Sequence, residues 1–325
     1  MYFVIIKNLS CIFYFIKKNY YLNHLRKIYE LSKYMKKIAA ISFMLAASFS
    51  FAVAATLVKG LGEYIFGDGV NPFQIAYARF FFAFIFLTSI VIFTNKPIES
   101  LNKRLHFLRS LFGWLGVSIL FTAILYIPIS DATALTFLNP IFAMIFAVLL
   151  FKESVGVIRW FAALISFLGG LILIRPTLDL NVDPVAVLCL FGAVIMGLEI
   201  ICIKILSSKE EILNILLFNN FFATCIGTLF LPFFFEVTTI LEFTVLIFIS
   251  FFMLFGQFCF INSVKRADTS FLMPFFYTTL IFVILLDLVI YNSLPDKTSY
   301  LGASIIIFGS LVVAFREWQL KKRKI

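Results

Sequence analysis

Runs of about twenty mostly apolar residues recur ten times along this chain, and nothing else constrains its fold as tightly. A bilayer core of about 30 Å needs a helix of about that length at 1.5 Å per residue. The runs do not alternate polar and apolar residues, and backbone groups in lipid must be satisfied within the segment, so they read as helices, not barrel strands. Composition agrees. Of 325 residues, 62% are hydrophobic and 14% charged, with a mean hydropathy of +1.04. Soluble domains are roughly half apolar and a quarter charged.

The expected spans are residues 38–58, 72–94, 107–127, 132–151, 157–174, 184–205, 212–235, 243–263, 271–291 and 299–315. Their connections are short, and several carry turn signals such as Gly67-Asp68-Gly69, Arg175-Pro176 and Leu294-Pro295-Asp296. No connection is long enough to hold a soluble domain. Ala46/Ser50/Ala54 and Ala193/Gly197 have the small-residue spacing that lets helices approach closely.

The net charge of +10 does not indicate a nucleic-acid partner, because the basic residues lie mostly in short loops and tails. Of 27 Lys and Arg, 23 fall on the side that holds both termini, Arg109 among them. Only Lys59, Arg175 and Lys297 fall on the other side, and Arg79 lies within a span. Both termini are therefore expected in the cytoplasm. The five cysteines lack metal-ligand spacing and read as small buried hydrophobes. No Gly-rich loop ends in Gly-Lys-Ser/Thr, so ATP does not power the chain. His24 and His106 fall outside the spans, no His-Glu-x-x-His pair exists, and no cofactor or metal is expected.

Tyr2–Ile16 is apolar but short, and Lys7 and Asn8 interrupt it. It reads as an interfacial tail or as lying upstream of a translation start at Met35, where Met-Lys-Lys precedes an apolar run. The expected organisation is a cytoplasmic tail over 1–37, one repeat over 38–175, a second over 183–316 and a basic tail over 317–325. Five spans per half is an odd number, so duplicated halves must sit in the membrane upside down relative to each other. Faint self-similarity supports duplication. Phe151-Lys152-Glu153, Trp160 and Gly169 keep the spacing of Tyr291-Asn292-Ser293, Tyr300 and Gly309.

Ala76-Tyr77-Ala78-Arg79-Phe80 early in the second span, and Ala132–Glu153 with Asn139-Pro140 at its centre and Phe-Lys-Glu at its end, resemble the EamA domain of the drug/metabolite transporter superfamily. The likeness covers roughly residues 38–316. It implies an all-α membrane protein with ten transmembrane helices in two inverted five-helix EamA-type repeats. The second half departs from the pattern: Ser293 stands where a Glu is expected, and Pro274-Phe275-Phe276-Tyr277 is a looser match. Overall likeness is greatest to the S-adenosylmethionine uptake carriers of intracellular bacteria. The 44 phenylalanines, with frequent Ile, Lys, Tyr and Asn, suit an A/T-biased bacterial genome, in which uptake is favoured over export.

Ionisable groups within the membrane cost at least about 2.5–3.5 kcal/mol each, so each is a candidate for function. Arg79 lies seven residues past Pro72 and could grip a substrate carboxylate in two-point fashion, or form a structural ion pair with Asp287. Asp287 suits a cationic substrate group or a coupling proton, and Glu199 reads as a further binding carboxylate or a wetted interfacial one. Gln74, Asn139, Asn219, Asn220, Gln257 and Asn262 either bridge helices or touch solute, with Asn139 and Gln257 taken as substrate candidates. Asn139 precedes Pro140, which frees a nearby carbonyl. Trp114, Tyr126 and Tyr277 could stack on a flat ring such as adenine.

The expected function is a secondary carrier, not an enzyme. It moves a small polar metabolite across the bacterial inner membrane by alternating access, with S-adenosylmethionine uptake as the first assignment. An amino-acid or other metabolite exporter or exchanger remains open, as does, more remotely, an intramembrane enzyme. The expected partners are the small-molecule substrate and the lipid bilayer, with a homodimer as one open assembly.

Overall fold

Where the spans begin follows from their caps. Asn71 accepts from the Phe73 N–H at 3.0 Å and Asp183 from the Val185 N–H at 2.8 Å, each directly before a proline at the first helical position. Proline loses nothing there, because that N–H has no intrahelical partner in any case. Thr239 and Glu242 cap each other reciprocally, with Thr239 N–H donating to Glu242 Oε2 at 2.7 Å and Glu242 N–H donating to Thr239 Oγ1 at 3.3 Å. Two helices stop on an asparagine in the left-handed region, Asn95 at φ 46° and Asn292 at φ 51°.

The computed structural model describes residues 35–62, 69–95, 97–98, 102–151, 157–174, 183–266, 272 and 275–322. The apolar stretch at Tyr2–Ile16 and the Lys152-Glu153 end of the first-half motif lie outside the described residues. The described residues form α1 (Met35–Gly62), α2 (Pro72–Thr94), α3 (Lys103–Tyr126), α4 (Ile129–Thr136), α5 (Asn139–Phe151), α6 (Val157–Ile174), α7 (Pro184–Ser207), α8 (Ile212–Phe234), α9 (Ile240–Arg266), α10 (Thr278–Tyr291) and α11 (Lys297–Lys322), with no strand among them. Among the described residues, seven helices are long and apolar enough to cross a membrane, α4 and α5 counting as one interrupted crossing; shorter apolar helices lie at Leu164–Leu173 and Thr278–Tyr291. Large apolar side chains such as Phe93, Leu229, Phe233 and Val289 are exposed, as the lipid-facing surface of a bundle requires.

The expected span over 132–151 is broken. Its helix is interrupted at Phe137-Leu138, and a matching turn occurs at Tyr277, 140 positions on, the same offset that relates Glu153 to Ser293 and Gly169 to Gly309. The two interruptions meet, with the Phe137 and Tyr277 rings edge to face at 5.0 Å. Backbone freed in a membrane needs internal partners. Thr278 and Thr279 hydroxyls donate to the Phe275 and Phe276 carbonyls at 2.6 Å, and Ser48 from α1 reaches the same two carbonyls at 3.2 and 3.3 Å. On the other side the Cys189 thiol of α7 donates to Ala132 O at 3.5 Å.

Packing joins the two halves along their length. α3 lies against α7 and α8, α2 against α8 and α9, and α6 against α11. The α6–α11 crossing brings backbones into contact: a Cβ on Gly169 would lie 2.8 Å from the Gly302 carbonyl oxygen. That closeness is the reason for glycine at the crossing.

Candidate functional site

Three charged side chains from three helices are buried around one cavity. Arg79, two turns into α2, is 2% exposed and lies over the Phe80 ring at 4.1 Å. Its Nη1 has no hydrogen-bond partner among the described residues. The Ser250 hydroxyl of α9 donates to the neighbouring Ala78 carbonyl at 2.9 Å and ties α2 to α9 at this level.

Arg109 of α3 is fully buried. It anchors α8 by donating from Nη1 to Ile215 O at 2.8 Å, while Nε and Nη2 have no hydrogen-bond partner among the described residues. Glu199 of α7, 8% exposed, holds Oε1 3.9 Å from Arg109 Nε and is within electrostatic reach of both guanidinium groups. The contact exceeds hydrogen-bonding distance, so the carboxylate balances charge without saturating the donors.

The cavity has a volume of about 180 Å³. Its walls come from α1, α2, α3, α4, α5, α7, α9 and α10, and thus from both halves of the chain. Arg79, Glu199, Asn139 and Gln257, all singled out from the sequence, line it, together with Arg109, Thr133, Thr136 and Thr279. Gln257 presents a buried Oε1 with no partner among the described residues. Orphaned polar atoms of this kind are rare in finished interiors and mark sites completed by water or ligand.

The other sequence candidates lie elsewhere. Asp287 does not pair with Arg79; its Oδ1 is 2.7 Å from Lys59 Nζ, because α1 and α10 bring those groups together outside the cavity lining. Lys59, counted from its loop position as an outer-face charge, is buried in that contact. Trp114 stacks on Phe230 with centroids 5.2 Å apart, in an aromatic cluster of α2, α3 and α8. Tyr277 sits against Phe137, which itself lines the cavity. Tyr126, at the end of α3, is 71% exposed. Of the remaining amides, Gln74 bridges to the Glu236 backbone in both directions, at 2.9 and 2.7 Å.

Two features escaped the charge count. The charge split puts Arg109 at the cytoplasmic edge, but α3 starts four residues earlier than the apolar run and carries it inside. His106, placed outside the spans, is buried on the same helix with Nε2 2.8 Å from Glu210 Oε2. The signal was present. His106, Arg109, Ser110 and Gly113 are spaced three, four and seven residues from the first, which puts them on one face of a helix.

The sequence profile of the EamA-like transporter family matches residues 38–175 and again residues 184–315. The chain is 24% identical over 260 residues to a Rickettsia bellii protein named as an S-adenosylmethionine uptake transporter, covering 80% of this chain and 89% of that one. It is 25% identical over 288 residues to a Vibrio cholerae riboflavin transporter, covering 87% and 94%. It is also 22% identical over 269 residues to a Pseudomonas aeruginosa protein named as a pseudopaline exporter, covering 82% and 93%.

Proposed function

The chain belongs to the EamA-like transporter family, and from that premise we propose that it is a secondary carrier that takes S-adenosylmethionine inward across a bacterial inner membrane by alternating access. The single observation that carries this reading is the cavity: walls from both halves, two guanidinium groups, one carboxylate and unspent hydrogen-bond donors. Such a site suits a solute that bears a carboxylate and a cationic group. Similarity to the Rickettsia bellii protein supports the choice of solute.

In this reading ten spans form two inverted repeats over 38–175 and 183–316, with the tail at 317–325 and both termini cytoplasmic. The seven long helices are completed by α6, by α10 with the turn before it, and by α11. The repeats rock about the central cavity, which opens to each side in turn. Arg79 receives the solute's carboxylate and Glu199 its cationic end, and Asn139 and Gln257 offer hydrogen bonds to the remainder. Asp287, Trp114, Tyr126 and Tyr277 act away from the cavity in this conformation: Asp287 through Lys59, the three rings through packing or their exposed faces.

Uptake of radiolabelled S-adenosylmethionine into cells expressing the protein is the direct test. The expected result is saturable uptake above vector control, and its absence would sink the choice of solute. Similarity to a protein named as an exporter keeps outward or exchange transport as a second reading. Efflux from preloaded vesicles, with and without solute outside, separates the two.

A further inference from the structure

Arg109 and Glu199 hold each other loosely, and that looseness has a chemical use. Arg109 Nε stands 3.9 Å from Glu199 Oε1, and both Nε and Nη2 lack partners among the described residues. Gly113 helps to keep the carboxylate where it is. One turn along α3 from Arg109, it lets the helix approach so closely that a Cβ there would lie 3.0 Å from Oε1. Arg79, on the neighbouring helix, contributes a second buried guanidinium with an unpartnered Nη1. A cation and an anion are thus held too far apart to bond each other and too deep to be satisfied by bulk water.

We propose that Arg109, Arg79 and Glu199 form a receptor for the head group of an α-amino acid, with its carboxylate on the two guanidinium groups and its ammonium on Glu199. One carbon carries both charged groups of such a solute. They are therefore neighbours, a spacing that can lie alongside an arginine and a glutamate 3.9 Å apart, with each pole facing the opposite charge. Insertion replaces one unbonded charge contact by charge-assisted hydrogen bonds at both poles, and the zwitterionic head adds no net charge to a buried site. A solute lacking either group leaves one pole unpaired. Selection then occurs at the amino-acid end, and what hangs from it meets walls that are apolar apart from two amides and three threonines.

This inference rests on the carrier reading, and its test separates the two. Binding to the purified full-length protein in detergent is measured by thermal shift for two matched series. In one, S-adenosylmethionine and S-adenosylhomocysteine are compared with 5′-methylthioadenosine, which lacks the amino-acid end. In the other, methionine is compared with methioninamide, which lacks the carboxylate, and with 4-(methylthio)butanoate, which lacks the ammonium. Removal of either group is expected to weaken binding about tenfold or more.

Glu199→Gln should close the gap between methionine and 4-(methylthio)butanoate and leave the gap to methioninamide. Arg109→Gln should do the opposite. Because Arg109 also anchors α8, Arg79→Gln serves as the second variant if that protein does not fold. Equal binding of methionine and methioninamide would overturn the receptor. Failure of every S-adenosyl solute, with the methionine series still discriminating, would instead remove S-adenosylmethionine as cargo and leave the receptor standing. No binding in either series would overturn both.

Discussion

Lys59 Nζ lies 2.7 Å from Asp287 Oδ1 and joins α1 to α10 across 228 positions of sequence. Lys59 also lies over the Tyr291 ring at 4.7 Å, and the Tyr291 hydroxyl donates to Thr56 O at 2.6 Å, so charge, ring and backbone make one knot between the two helices. Removing one partner of a buried pair strands the other charge at a cost of about 3–5 kcal/mol, whereas replacing both with apolar residues can be nearly neutral. Asp287→Asn is therefore expected to lower the unfolding midpoint in detergent clearly, and the Lys59→Met/Asp287→Leu pair to recover most of the loss. A double variant as unstable as the single one would show that the charges do more than satisfy each other.

Arg79→Ala and Arg79→Lys separate charge from shape at the cavity. Both variants are expected to insert, because the Ser250 to Ala78 bond that ties α2 to α9 at this level uses backbone and hydroxyl only. Alanine should reduce uptake about a hundredfold, and lysine should restore only part of it, since a point charge lacks the planar fork that grips a carboxylate in two places. Uptake per molecule of inserted protein is the measurement, and unchanged transport in Arg79→Ala would remove it from the site.

Much of this was legible in the apolar runs. The expected spans at 72–94 and 157–174 coincide with α2 and α6, because proline at one end and polar turns at the other leave little choice. Arg79 and Glu199 stood out because a charge inside such a run is too costly to be idle. Arg109 did not, because counting charges by loop treats any basic residue near a span edge as an anchor, and only the helical face it shares with His106, Ser110 and Gly113 tells otherwise. The pairing of Lys59 with Asp287 was equally hidden, as it depends on which helices of the two halves touch. The break at Phe137-Leu138 was half visible: Asn139-Pro140 promised a freed carbonyl, but the meeting of Phe137 with Tyr277 needed the fold.

Adjacent glycines on α6 make a controlled comparison. A Cβ on Gly169 would strike backbone, 2.8 Å from Gly302 O and 2.9 Å from Ile306 N, which cannot move without shifting α11. A Cβ on Gly170 would meet the tip of Leu138 at 2.8 Å, and that tip can rotate away. Both substitutions gain about 1 kcal/mol of helix propensity, while overpacking costs about 1–3 kcal/mol or more where the neighbour is rigid. Gly170→Ala is expected near neutral and Gly169→Ala clearly destabilising, read as the difference in unfolding midpoint. Equal effects would mean that the α6–α11 crossing relaxes more easily than its backbone contact implies.

The ten-span arrangement makes opposite demands on two short connections. The segment at 208–211 between α7 and α8 is expected in the cytoplasm, and that at 235–239 between α8 and α9 on the outer face. Ser208 and Val237 are both exposed, so each can carry a reporter cysteine in a background in which the native cysteines are replaced. A membrane-impermeant maleimide added to intact spheroplasts should label Val237→Cys at once, and Ser208→Cys only after permeabilisation. Labelling of both from outside, or of Ser208→Cys alone, would contradict the orientation drawn from the charge split. Because α8 alone separates the two positions, the result would also decide whether that helix, with its internal Pro232, crosses the bilayer completely.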